Sequence, residues 1–399
     1  MRLPVLIILV TVMLDAMGIG LILPIMPDLI REVRGGTLAN AALWGGLLAS
    51  SFAVMQFVFG PIVGSLSDSY GRRPVLLISL FFMALDYLVM AVAGSIWLLI
   101  AGRIVGGITA ATHSAASAYM ADISAPDKKA ANFGLIGAGF GVGFVLGPLI
   151  GGLLGEFGTR APFYAAAGLS ALNFILGFFV LKETVTDKIR RRFTWSRANP
   201  FGAFTHLSHM PGVRLQLLAF LAYSVALYVY PAIWAYFTQA RFGWSPQTIG
   251  ISLAIYGISA ALVQVVLIRV MLARFGERRT VYFGMVFDAA SCILLAIVTS
   301  GTLALALTPI AALGAVVTPA MQGIMSRRAG EDAQGELQGV LTSVHALATI
   351  ISPLMMTTAF AAFTAPTAPV QFAGAPFILA AVLVFAALAI FLKDRTDAA

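Results

Sequence analysis

The chain has 399 residues, of which 60% are hydrophobic and 11% charged, and a formal net charge of +8. A soluble domain carries about 25% charged residues, so the composition excludes a soluble enzyme and makes the bilayer the main solvent. The basic excess then reads as a topology signal, and no nucleic-acid partner is expected.

A transmembrane helix needs about 20 apolar residues. Twelve stretches qualify, at about 4–27, 42–65, 74–93, 96–119, 131–155, 161–181, 214–238, 247–273, 280–299, 302–324, 337–362 and 371–392. The first is too long for a signal-peptide core and ends without a small-residue cleavage site, so it is expected to be retained. It carries one carboxylate, Asp15. Twelve residues beyond Leu3, that acid lies roughly 18 Å into a core about 30 Å thick.

The second stretch runs into G-S-L-S-D-S-Y-G-R-R-P, Gly64 to Pro74. Asp68 there sits at the negative end of its helix dipole and needs an outside partner. Gly71 permits the turn and Pro74 starts the next helix. With Arg72 and Arg73, this loop is expected to act as a charge-paired latch that gates one conformation. The bland alternative is a merely topogenic Arg pair.

The third stretch carries Asp86, and the fourth carries Arg103 and His113. The fifth reads G-A-G-F-G-V-G-F-V-L-G-P-L-I-G-G-L-L-G. Gly139, Gly143, Gly147 and Gly151 recur every four residues and build a ridge without side chains. Pro148 bends it. A hinge-like interface is expected there, against static close packing as the alternative. With no Walker-type Lys, these glycines do not cradle phosphate.

A polar connection, Lys182 to Arg197, follows the sixth stretch. It divides the chain into an N-terminal six-helix bundle (1–181), a cytoplasmic linker (182–211) and a C-terminal six-helix bundle (212–399). His206 and His209, in the linker, are expected to be solvated. The ninth stretch carries Asp288 and the lone cysteine, Cys292, which excludes an intramolecular disulfide and a zinc cluster. The eleventh carries His345.

Of 25 Lys and Arg residues, four (Arg31, Arg34, Arg160, Arg241) fall on one side and nineteen on the other; Arg103 and Arg269 lie inside spans. This bias places both termini in the cytoplasm. Two six-span halves also suggest an internal repeat, the usual build of secondary transporters. Asp86 follows Arg73 by thirteen residues and Asp288 follows Arg279 by nine. The difference is about one helical turn, so both acids fall on a similar face of the matching helix.

Ionisable groups at this depth are costly and face a cavity or a partner. One acid can pair with Arg103 and hold helices together. One arginine cannot serve three acids, so at least two need another account. Low dielectric disfavours the charged form of a carboxyl group, the property that a proton relay uses. His113 and His345 are further candidates, since His titrates near neutrality, although a packed His is the commoner case. No H-E-x-x-H, G-x-S-x-G, P-loop or G-x-G-D motif is present, so no enzyme, resident metal or cofactor is expected.

The G-x-L-S-D-x-Y-G-R-R-P loop, A-G-R-I-V-G-G-I-T in the fourth stretch and G-x-x-x-G-P-x-x-G-G in the fifth resemble the major facilitator superfamily. L-D-A-M-G-I-G-L-I-L-P-I-M-P, A-V-M-Q, L-D-Y, R-F-G-W-S, P-A-M-Q-G-I-M-S and G-E-L-Q-G are similar to the tetracycline/proton antiporters. The resemblance covers nearly the whole chain. It implies an all-α fold of twelve transmembrane helices in two six-helix pseudo-repeat bundles, and drug efflux in exchange for protons through alternating access. It assigns Asp15, Asp86 and Asp288 to transport, Arg103 to proton coupling and Asp68 to the loop. His113 stands where the family has a small residue and is placed in the same proton-coupling set. Candidate substrate contacts are Gln56, Gln264, Gln322 and Gln338, with Tyr228, Tyr230 and His345.

Two departures from the family pattern leave the substrate open. Ala260 occupies a position usually held by His, and A-L-Y-V-Y-P-A replaces a Gln-containing span-seven motif, an aromatic gain suited to a flat or apolar substrate. The expected partners are a drug, carried as a divalent metal chelate if it is a tetracycline, together with protons and membrane lipids. A monomer in the cytoplasmic (inner) membrane is expected. The runner-up keeps the fold and reverses the flux, with uptake of an organic anion paired to Arg103. A third alternative is a non-transporting receptor or scaffold.

Overall fold

The computed structural model of the chain describes residues 3–187, 190–195, 198–202, 211–330 and 333–394. His206 and His209 lie outside the described residues, as do Arg2, Lys188, Arg197 and Arg395 of the orientation count. The described elements are all helical.

Eleven helical stretches among the described residues are long and apolar enough to cross a membrane. One of them, Pro246–Ile297, has 52 residues. At about 1.5 Å per residue that is more than twice the roughly 30 Å apolar core. It therefore comprises two crossings, divided at Gly276 where the backbone leaves the helix (φ 69°, ψ 172°). Spans one to seven are Leu3–Ile22, Leu38–Tyr70, Arg72–Val92, Ile96–Ile123, Lys129–Gly155, Ala161–Val180 and Arg214–Phe242. Spans eight and nine share Pro246–Ile297. Spans ten to twelve are Gly301–Ala329, Gln334–Thr364 and Ala375–Lys393.

The first expected span, 4–27, ends early. Span one stops at Ile22, and a separate short helix, Met26–Arg34, starts with Pro27 in its first turn. Proline suits that position because its missing N–H has no intrahelical partner there. Spans four and ten open on serine N-caps: Ser95 accepts from the Leu98 amide (3.3 Å) and Ser300 from that of Leu303 (3.4 Å).

Three spans are interrupted. Span four breaks at Ala110–Ala111, span seven at Tyr228, and span ten tightens to a 3-10 turn over Ala312–Val316. A broken helix in apolar surroundings must find partners for its freed carbonyls. Gln56 of span two donates to the Ala110 carbonyl at 3.5 Å. Ser352 of span eleven donates to that of Val225 at 2.7 Å. Hydropathy shows neither the breaks nor these donors' part in them.

The chain forms two compact units, neither of them contiguous. Unit 1 holds residues 1–35, 51–200 and 245–254; unit 2 holds 36–50, 201–244 and 255–399. The start of span two thus clusters with the second half of the chain, where Ser50 donates to the Ile350 carbonyl at 2.7 Å. The start of span eight clusters with the first half, against span five. Unit 1 has an apolar core that includes Ile8, Val12, Leu76, Leu80, Tyr119 and Met120.

The glycine ridge of span five packs inside unit 1, against span one. A Cβ built on Gly139 would lie 3.3 Å from the Leu9 carbonyl oxygen, and one on Gly147 would lie 2.6 Å from that of Met17. Gly143 and Gly151 meet the carbonyls of Met13 and Leu21 in the same way. Both helices advance four residues per contact, so they run parallel, backbone to backbone. The glycines next to span eight are instead Gly152, against Pro246 and Gln247, and Gly155, against Pro246.

Candidate functional site

In unit 1 the deep charges are buried: Asp15 is 6%, Asp86 4% and Arg103 8% exposed. Arg103 forms an ion pair with Asp86. Asp86 lies against Gly102 and Gly106, one turn apart on span four, where any Cβ would crowd the carboxylate. The guanidinium also sits over the Phe52 ring, 5.0 Å from its centroid, a contact that strengthens when desolvated. The expected single pairing is thus resolved: of the three acids, Asp86 takes the arginine.

Asp15 forms no ion pair among the described residues. Among the described residues its Oδ1 atom is buried and has no hydrogen-bond partner. One turn further along, Gly18 lies against Tyr87, whose hydroxyl oxygen would be 2.8 Å from an added Cβ. That places this face of span one beside span three. His113, just after the break in span four, is exposed on the unit's surface and meets the Phe140 ring edge-on at 5.6 Å.

In unit 2 Asp288 is 1% exposed. Its partner is a neutral group: the Tyr223 hydroxyl donates to Oδ2 at 2.7 Å, while Oδ1 has no partner among the described residues. Asp288 also lies against Gly314, in the 3-10 turn of span ten. Each unit therefore seats a span-three or span-nine acid against glycine of the following span. Tyr223 is a site residue that sequence reasoning missed. Nothing in A-F-L-A-Y-S-V distinguishes it from any other span aromatic.

The candidate substrate contacts divide into two sets. Gln56, Gln264, Gln338 and His345 are exposed on their units, and Gln322 and Tyr228 are half-buried. Polar groups exposed within apolar spans face water or a ligand in preference to lipid. Gln264 sits on a π-helical turn, Val263–Leu267, a distortion that recurs at functional sites. Tyr228, at the break in span seven, meets the His345 ring edge-on at 6.4 Å. Tyr230 differs. It is 8% exposed, stacked on Tyr256 at 5.4 Å and edge-on to Phe377 at 5.8 Å. Two residues apart, Tyr230 turns into the aromatic core while Tyr228 stays half-buried.

The loop after span two is a charge network. Arg72 pairs with Asp68 and, through Nε at 3.3 Å, with Asp122 at the end of span four. Asp68 thereby finds the outside partner its position on the helix dipole requires. Gly71 has φ +123°, a conformation side chains rarely adopt, and the Glu183 carboxylate occupies the space of its missing Cβ. Glu183 accepts from the Arg72 amide at 2.9 Å and the Arg73 amide at 3.3 Å. It caps the start of span three in place of the side chain that Gly71 lacks. Arg73 turns to the Phe178 carbonyl at 2.7 Å. Gly64 lies within span two with open space beside it and takes no part in the turn.

The family model for the Major Facilitator Superfamily matches residues 8–236 and 215–399. The chain is 41% identical over 357 residues to the tetracycline resistance protein, class C, of Escherichia coli, covering 89% of each chain. It is 37% identical over 352 residues to the class E protein of the same organism, covering 87% of this chain and 85% of that one. The solved structure of the human organic anion transporter MFSD10 (TETRAN) superposes with a TM-score of 0.70 at 23% identity, over 98% of this chain and all of that one.

Proposed function

The chain belongs to the major facilitator superfamily, and from that membership we propose that it is a proton-coupled secondary transporter exporting a small amphipathic drug of the tetracycline kind. It is a multi-pass membrane protein and not an enzyme. The observation that carries the coupling is the state of the three deep acids. Arg103 engages Asp86, Asp288 has a neutral hydroxyl partner, and Asp15 has a buried oxygen with no partner among the described residues. A scaffold has no use for such costly groups.

In this proposal Asp15 and Asp288 take up and release protons, the Asp86–Arg103 pair opens and recloses during the cycle, and His113 lies beside the path. Gln56, Gln264, Gln322, Gln338, Tyr228 and His345 contact the drug. A tetracycline would bring its divalent cation as part of the substrate. The loop at Asp68, Gly71, Arg72 and Arg73 holds one state of an alternating-access cycle, in which two six-span halves of a monomer in the cytoplasmic membrane exchange states. Both termini are cytoplasmic. The uptake alternative uses Arg103 as partner for an organic anion, and here Arg103 is engaged by Asp86.

The test uses proteoliposomes with an imposed proton gradient, tetracycline and magnesium. Wild type is expected to move drug against its gradient, with coupled proton flux. Asp15→Asn is expected to bind drug and to lose the gradient-driven flux. Full gradient-driven transport by Asp15→Asn would refute the assigned role.

A further inference from the structure

Four arginines, Arg278, Arg279, Arg327 and Arg328, line one cavity of about 580 Å³ in unit 2, between the start of span nine and the end of span ten. Two carboxylates answer them. Glu277 is held by both terminal nitrogens of Arg327. Asp394, just beyond span twelve, pairs with Arg328 and accepts from Arg278 through its backbone oxygen at 2.6 Å. Among the described residues, four guanidiniums meet these two carboxylates. Arg279 is exposed, and no ion pair or hydrogen bond engages its side chain among the described residues.

The matching place in unit 1 exchanges the signs of its central ion pair. Arg72 follows Gly71 and pairs with Asp122, fifty residues on. Glu277 follows Gly276 and pairs with Arg327, also fifty residues on. The positions correspond and the signs are exchanged. Around Gly71, Arg72 and Arg73 meet three acids, Asp68, Asp122 and Glu183, whereas four arginines line the cavity beside Gly276.

We infer that the cavity beside Gly276 binds a phosphate group. Guanidinium forks match phosphate oxygens in pairs, and the volume admits the group with its substituents. Basic pockets between helices at the cytoplasmic surface attract anionic lipid headgroups. An anionic phospholipid and soluble inorganic phosphate share this chemistry. None of the cavity's lining residues is among the proposed transport residues, and the site does not depend on the direction of transport.

The test uses full-length protein in detergent, stripped of native lipid. Phosphatidylglycerol and phosphatidylcholine are titrated in mixed micelles, and inorganic phosphate separately, with binding read by native mass spectrometry and by thermal stability. Wild type is expected to bind phosphatidylglycerol in preference to phosphatidylcholine or to bind inorganic phosphate. Displacement of the lipid by inorganic phosphate assigns the soluble source, and retention assigns the lipid. Arg279→Gln is expected to bind about tenfold more weakly, as loss of one charged hydrogen-bond donor implies. Arg279→Lys keeps the charge and separates loss of binding from misfolding, with affinity between the two. Equal affinity in wild type and Arg279→Gln, or binding of neither probe by wild type, overturns the inference.

Discussion

Replacing Asp86 with Asn leaves the Arg103 guanidinium buried, 8% exposed, with no acid to neutralise it. Removing one partner of a buried pair costs about 3–5 kcal/mol, because the remaining charge stays desolvated and uncompensated. For a unit of this size that is a fall of roughly 6–20 °C in Tm. Arg103→Gln, which strands the carboxylate, should cost a similar amount. In the double variant no charge is left to strand, so its loss should be far smaller than the sum of the single losses. The Phe52 contact moderates this slightly, since stacking of Arg103 on the ring survives Asp86→Asn and not Arg103→Gln. Thermal unfolding of the four proteins in one detergent completes the double-mutant cycle. A coupling of about 2 kcal/mol or more is expected. Strictly additive losses would refute the pair as an energetic unit and return Arg103 to the pool of free cations.

Two further expectations follow from packing and charge. Gly147→Ala puts a methyl group 2.6 Å from the Met17 carbonyl oxygen and should lower folded yield and Tm, whereas Gly141→Ala, with open space around it, should leave both unchanged. Equal effects would show that span five does not lie backbone-to-backbone on span one. Glu277→Arg sets like charges against Arg327 and should destabilise the protein by a few degrees, and adding Arg327→Glu should recover that loss by recreating the polarity of Arg72 and Asp122. No recovery would show that the two networks are not equivalent in structure.

Hydropathy made the crossings legible, because a helix in lipid must be apolar along its whole length. The outlying positions of Asp15, Asp86, Asp288 and Arg103 stood out for the same reason. The pairing of Asp86 with Arg103 did not, since it depends on which faces of spans three and four meet. The break at Ala110 was hidden too, whereas the break at Tyr228 has a local cause in Pro231, which lacks the amide that would bond the Leu227 carbonyl. Each break is stabilised by a distant donor, Gln56 or Ser352. Tyr223 was illegible because its role lies in one hydroxyl among many aromatic rings. The fifty-residue spacing of Arg72–Asp122 and Glu277–Arg327 was written in the chain, but the exchange of signs hides it from any comparison of like with like.

That spacing also sharpens the internal repeat. Measured from the two backbone breaks, Asp86 lies fifteen residues after Gly71 and Asp288 twelve after Gly276. The acids are offset by three residues, against the four suggested by counting from the arginines. They fall on one helix face about a turn apart, and both rest on glycine of the next span. Their partners then separate their chemistry. A carboxylate held by a guanidinium has to leave that partner before a proton can replace it, which ties protonation to helix movement. A carboxyl group held by a phenol, with its second oxygen free, can change protonation state without breaking an ion pair. On the proposed mechanism, one face of two related helices, at depths about a turn apart, thus holds one acid suited to sensing the conformational step and another suited to carrying the proton.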